Sequence, residues 1–189
     1  MVDRHAPVAP LTFHVAGLLA DPIGATRDLL ISGVTLPLDD DLQQAGPLEG
    51  TVRLTRSNRG LLVLARLTTS LAAECVRCLT PIEVPVRVVI DEEALPSVDL
   101  ATGERVIDPE GSDVVHLTDH HEIDLERSVR EAISLEEPIA PVCRDDCPGL
   151  CAICGESLVG AEHDHPDDDI DPRLAALRGF VVDAGAESE

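Results

Sequence analysis

Apolar and polar positions alternate most regularly between residues 48 and 94. Val52 and Leu54 alternate with Thr51, Arg53 and Thr55. From Leu61 to Glu74 the odd positions Leu61, Val63, Ala65, Leu67, Leu71 and Ala73 share one face. The even positions of that run include Arg66, Thr68, Ser70 and Glu74. From Ile82 to Asp91, Val84, Val86, Val88 and Ile90 point one way, and Glu83 and Arg87 the other. A period of two is the mark of half-buried strands. Ser57, Asn58, Arg59 and Gly60 supply a turn, with Asn and Gly available for positive φ. The second link runs from Cys75 through Cys78 to Pro81. Three strands with two tight links predict an antiparallel meander, with a C-x-x-C at one hairpin tip.

The flanking segments complete an α+β reading. Residues 1–10 are expected to be a flexible entry. Leu11 to Gly17 alternates and predicts a first strand, and Asp21, Pro22, Ile23 and Gly24 a turn. Arg27 to Val34 reads as a strand, although consecutive Leu29, Leu30 and Ile31 leave a short helix open. Leu36 to Gly46, with Pro37 and three aspartates, reads as a loop. Residues 95–121 form an acidic, turn-rich loop, long for a compact domain, in which Val114 and Val115 predict a short edge strand. Leu125, Val129, Ala132 and Ile133 then trace an amphipathic helix over 124–137, with Arg127 and Glu131 spaced to pair. Pro138 and Pro141 stop it.

The fold class expected is therefore an antiparallel β-meander or partly closed barrel with one amphipathic helix. A C-terminal cysteine-rich zinc-knuckle module follows. The mainly β domain covers 11–138. The cysteine module covers 139–180 and ends in a short helix opened by Asp171 and Pro172, with Leu174 and Leu177 inward. Residues 181–189 form an acidic tail expected to be disordered.

Chemistry concentrates in the run CRDDCPGLCAICG, where Cys143, Cys147, Cys151 and Cys154 fall within twelve residues. The last pair is a C-x-x-C followed by Gly155, a spacing that curls the backbone so both sulfurs face one point. Gly accepts the positive φ such a turn needs. Cys75 and Cys78 form the other C-x-x-C, so all six cysteines fall into two clusters. Four thiolates around one point make a soft tetrahedral site, and Zn²⁺ is its commonest occupant. The spacing leaves two ligand sets open: the local quartet Cys143, Cys147, Cys151 and Cys154, which leads, or Cys75 and Cys78 opposite two of the later four. Disulfides suit secreted chains, and no signal peptide or membrane-length apolar run is present. A dithiol redox site would want a helix start after a strand. Reduced thiols in metal spacing point to the cytoplasm.

Composition narrows the partners. Of 189 residues, 36 are acidic and 14 basic, a formal net charge of −22. Such a surface repels phosphate. With two Phe and neither Tyr nor Trp, it also lacks the platforms on which single strands stack. A basic partner, such as a ribosomal protein, is physically easier. RNA binding remains an alternative, since Arg77 and Arg144 lie beside the cysteines and zinc knuckles hold unstacked bases. For both arginines, solvation is the simpler account. A zinc hydrolase is the third reading. It needs an open coordination position and a general base, and His120, His121 and Glu122 lack the H-E-x-x-H spacing. His163 and His165 sit in an acidic loop where solvated histidines are the default. No catalytic residue is assigned.

CVRCLTP on a hairpin, EEPIAPVC after a helix, CRDDCPGLCAICG and a terminal DPRLAALRGF together resemble the YceD family of large ribosomal RNA subunit accumulation proteins. The likeness spans most of the chain from about Leu48. It implies a non-enzymatic bacterial cytoplasmic protein supporting synthesis, processing or accumulation of large-subunit ribosomal RNA. The resemblance also implies genes neighbouring one for a small basic large-subunit ribosomal protein. The partner expected is such a basic protein or the pre-ribosomal large subunit, with no membrane.

Overall fold

A computed structural model describes residues 11–38, 42–99, 102–105, 114–160 and 173–174. The expectations for residues 1–10, for the tail 181–189 and for His163 and His165 lie outside these. So do those for most of the terminal helix and part of the acidic loop.

The elements run β1 (Thr12–His14), α1 (Ala16–Ala20), β2 (Thr26–Val34), β3 (Gln43–Arg56), β4 (Leu61–Glu74), β5 (Pro81–Leu95), β6 (Val115–His116), β7 (Glu122–Asp124) and α2 (Glu126–Leu135). Strands β2 to β5 pair in sequence order as an antiparallel meander, and β6 adds to the β5 edge in parallel. β1 and β7 form a separate two-stranded ribbon.

The alternation read from the sequence sets the sheet's two faces. Leu61, Val63, Ala65, Leu67 and Leu71 are buried, as are Val86, Val88 and Ile90 on the neighbouring strand. Arg66, Thr68 and Arg87 face outward and are exposed. Helix α2 covers the inner face through Val129 and Ile133, with Leu125 just before it, all at 0 % exposure. Burying each such side chain contributes about 1.5–3 kcal/mol. The Asp124 carboxylate opens the helix by accepting from the Glu126 N–H at 2.9 Å, which satisfies one of the donors a helix start leaves over.

Three expectations are corrected. The sheet is open rather than partly closed: β2 lies at one edge and β6 at the other. There are two helices among the described residues, because Leu11–Gly17 yields only a three-residue strand before α1 buries Leu18 and Leu19. The loop expected over 36–46 is shorter, since β3 begins at Gln43. That early stretch is bulged and held by the Gln44 amide. Its Oε1 accepts from the Leu36 N–H at 2.9 Å, and its Nε2 donates to the Gly46 and Val34 carbonyls at 2.8 and 3.1 Å.

Candidate metal centre

The β4–β5 hairpin ends in a tight turn at Cys75–Cys78. The Cys75 N–H donates to the Thr80 carbonyl at 2.9 Å, and the Leu79 N–H to the Cys75 carbonyl at 2.8 Å. Leu79 takes φ 57°, a left-handed conformation that the sequence pattern reserves for glycine. After α2, the segment following Pro138 crosses the hairpin tip. The Val76 N–H donates to the Pro141 carbonyl at 2.9 Å. The Arg77 guanidinium donates to the carbonyls of Asp145 and Cys147 at 2.8 and 3.3 Å. Gly149 passes so close that a Cβ there would sit 3.2 Å from the Arg77 carbonyl oxygen.

These ties bring Cys75, Cys78, Cys143 and Cys147 together, with all four sulfurs within 4.8 Å of one another. Cys75 Sγ lies 3.9 Å from Cys147 Sγ, and Cys78 Sγ 3.7 Å from Cys143 Sγ. A tetrahedron with metal–sulfur bonds of about 2.3 Å has edges of about 3.8 Å, so the sulfur spacing fits one soft ion. Cys75, Cys78 and Cys147 are buried with Ile82, Val142 and Leu150 packed against them, apart from the main core. Cys143 stays exposed. Cys151 and Cys154 are outside this group of four, although their own turn places their thiols in mutual hydrogen-bonding reach. The arrangement thus joins the first pair to the first two cysteines of the later run, one of the two ligand sets that the spacing leaves open.

The thiols are electrostatically unlike. Hydrogen bonding from the Cys143 backbone, then from those of Cys78 and Arg77, outweighs burial and lowers Cys75 to about 6. The Thr80 hydroxyl foremost lowers Cys78. Cys143 is pushed up to about 12, first by its hydrogen bond with the Cys147 thiol. Negative charge is therefore favoured at Cys75, deep in the cluster, and disfavoured at Cys143. Backbone N–H groups aimed at sulfur stabilise a thiolate.

Arg77 is engaged in holding two carbonyls, a role that sequence reasoning missed in weighing it only as solvated or base-contacting. Arg144 pairs with Asp146 at 3.3 Å on the surface. His120 and His121 lie in the turn before β7 and join no donor cluster among the described residues.

The fold and the cysteine cluster together define an α+β protein whose open sheet carries a four-thiol centre at one hairpin tip. The chain belongs to the YceD family: a model of the large ribosomal RNA subunit accumulation protein YceD matches residues 63–181. Family membership implies a role in accumulation of large-subunit ribosomal RNA. An uncharacterized protein of Mycobacterium tuberculosis strain H37Rv is 36% identical over 200 residues, covering 100% of this chain and 91% of its own. A counterpart in Mycobacterium bovis gives the same figures. One in Mycobacterium leprae is 39% identical over 184 residues, covering 95% of this chain and 81% of its own. No solved structure matches. No helix among the described residues is long and apolar enough to cross a membrane.

Proposed function

We propose that this protein is a non-enzymatic cytoplasmic ribosome-biogenesis factor that supports large-subunit ribosomal RNA through protein contacts. A structural Zn²⁺ at Cys75, Cys78, Cys143 and Cys147 shapes its docking surface. The family match carries the ribosomal part of this reading. The four gathered sulfurs carry the metal part. An all-thiolate set is the chemistry of structural zinc, which ties segments together and leaves no position for substrate. Here it would fasten the chain after α2 to a hairpin tip more than sixty residues earlier in sequence.

The partner that fits is basic. A net charge of −22 draws a cationic ribosomal protein, or a pre-ribosomal particle presenting one, and disfavours bare phosphate. Direct RNA grip at the hairpin tip is the weaker reading, because the Arg77 guanidinium is occupied by the Asp145 and Cys147 carbonyls. A hydrolase would need an open metal position and a general base, and the thiol set offers neither.

The test is sucrose-gradient analysis of ribosomes from a strain lacking the gene, rescued with wild type or with Cys78→Ser. Depleted large subunits, restored by wild type and poorly by the variant, are expected. Normal large-subunit levels in the deletion strain would refute the ribosomal role. Pull-down of zinc-loaded protein with and without RNase then separates protein from RNA contact: captured basic protein that survives RNase is the expected result.

A further inference from the structure

The two C-x-x-C turns share one backbone plan. In the second, the Cys151 N–H donates to the Glu156 carbonyl at 2.7 Å and the Gly155 N–H to the Cys151 carbonyl at 2.9 Å. These are the counterparts, position for position, of the Cys75 to Thr80 and Leu79 to Cys75 bonds. The residue after the second cysteine has positive φ in both, 57° at Leu79 and 75° at Gly155. The Ile153 N–H also points at Cys151 Sγ, 3.5 Å away. A bridge between Leu150 and Ser157, and a bond from the Leu158 N–H to the Gly149 carbonyl at 2.9 Å, close the hairpin beneath the turn. The second turn therefore holds its sulfurs in the attitude of the first, but outside the quartet. Cys151 is buried and Cys154 exposed.

We propose that Cys151 and Cys154 form a second, separate site for a thiophilic divalent cation, Zn²⁺ in the first instance. The pair supplies half of a tetrahedral thiolate shell, and the ion takes its remaining ligands from outside the pair. Such an ion binds less tightly than one in the quartet and reaches solvent through Cys154. It leaves first when a chelator competes. This inference does not rest on the ribosomal reading, and a count of bound ions is blind to that reading.

The test is titration of Co²⁺ into the reduced, metal-free full-length chain. Thiolate-to-cobalt charge transfer and d–d bands report binding, and native mass spectrometry counts the ions. Wild type is expected to take two ions, one of them removed first by chelator. Cys151→Ser/Cys154→Ser is expected to take one and to keep the wild-type far-UV spectrum. Cys143→Ser/Cys147→Ser is expected to lose the tightly held ion and keep the labile one. Wild type and the Cys151→Ser/Cys154→Ser variant alone decide the matter. A single ion in both overturns the proposal. So does loss of the tight ion in a folded Cys151→Ser/Cys154→Ser variant, which would mean that the two sites are not separate.

Discussion

Arg77 donates to the backbone carbonyl of Asp145 at 2.8 Å, across 68 positions of sequence. This bond and its companion to Cys147 place the Cys143–Cys147 loop against the hairpin tip through protein atoms alone. The site is thus partly organised before any ion arrives, and preorganisation raises affinity by lowering the cost of ordering ligands. Arg77→Ala should destabilise the metal-free chain by roughly 1 kcal/mol, below the usual range for charge-assisted bonds because the guanidinium is partly exposed. It should also weaken Co²⁺ binding about tenfold, on the scale of lost outer-shell support. Arg77→Lys should recover little, since one ammonium does not reproduce a planar fork. Competition with a chromogenic chelator reads the affinity, and an affinity equal to wild type would remove Arg77 from the site's assembly.

Removal of metal should loosen the cysteine segment and spare the sheet. The main core is built from aliphatic side chains of β2 to β5, α1 and α2, while the thiols pack with Ile82, Val142 and Leu150 in a separate cluster. Chelation is therefore expected to expose Cys75, Cys78 and Cys147 to alkylation while the β signal in far-UV circular dichroism persists. Readdition of Zn²⁺ should restore protection. Global loss of the β signal on chelation would show that the two clusters fold as one unit.

Stability of the metal-free chain should depend on pH through the quartet. Cys75 falls from the ordinary 9.0 to about 6 in the folded state, and Cys78 is lowered as well. Between pH 6 and 9 the folded Cys75 is ionised while its unfolded counterpart keeps its proton. The unfolded state then binds more protons, so stability rises with pH across that window and is lost as pH falls back through 6. Cys143, pushed up to about 12, is protonated in both states there and acts, in the opposite direction, only above 9. Thermal melts in chelator should climb from pH 6 to 9, and the climb should shrink in Cys75→Ser. Equal slopes for the two chains would contradict this assignment of charge.

How far the sequence foretold this arrangement follows from the range of each interaction. The meander was legible because a half-buried strand writes its burial at every second residue, as Leu61 to Leu71 and Val86 to Ile90 do. Helix α2 was legible for the same reason at helical spacing. Closure was not: whether the edges of a sheet meet depends on twist and on where β6 docks, and no local pattern records either. β1, β6 and β7, at two or three residues each, are too short to display a period. The cysteine spacing revealed two turns but not which thiols share a centre. That choice is made by the Val76–Pro141 and Arg77–Asp145 bonds, formed between segments remote in sequence. Leu79 in a left-handed conformation carried no sequence signal either, since leucine seldom adopts it.

Gly50 sits in mid-strand on β3, opposite Ile31 on one side and Leu67 on the other. Its φ of 144° suits glycine, and an added Cβ would run into the Arg66 carbonyl oxygen and Leu67 Cα. Both obstacles are backbone of the neighbouring strand, so relief requires β3 and β4 to part. Gly33 also has positive φ, at 71°, but nothing lies within 4 Å of its would-be Cβ. The two positions separate steric approach from conformational preference. Gly33→Ala should cost about 1 kcal/mol, the left-handed preference alone. Gly50→Ala should cost about 3 kcal/mol or more, because a clash with fixed backbone is added to that strain. Denaturant unfolding of both variants checks the difference. Because Gly50 lies far along the sheet from the hairpin tip, the Co²⁺ affinity of folded Gly50→Ala should match wild type. A Gly50→Ala cost no larger than that of Gly33→Ala would mean that the strands part freely at this point.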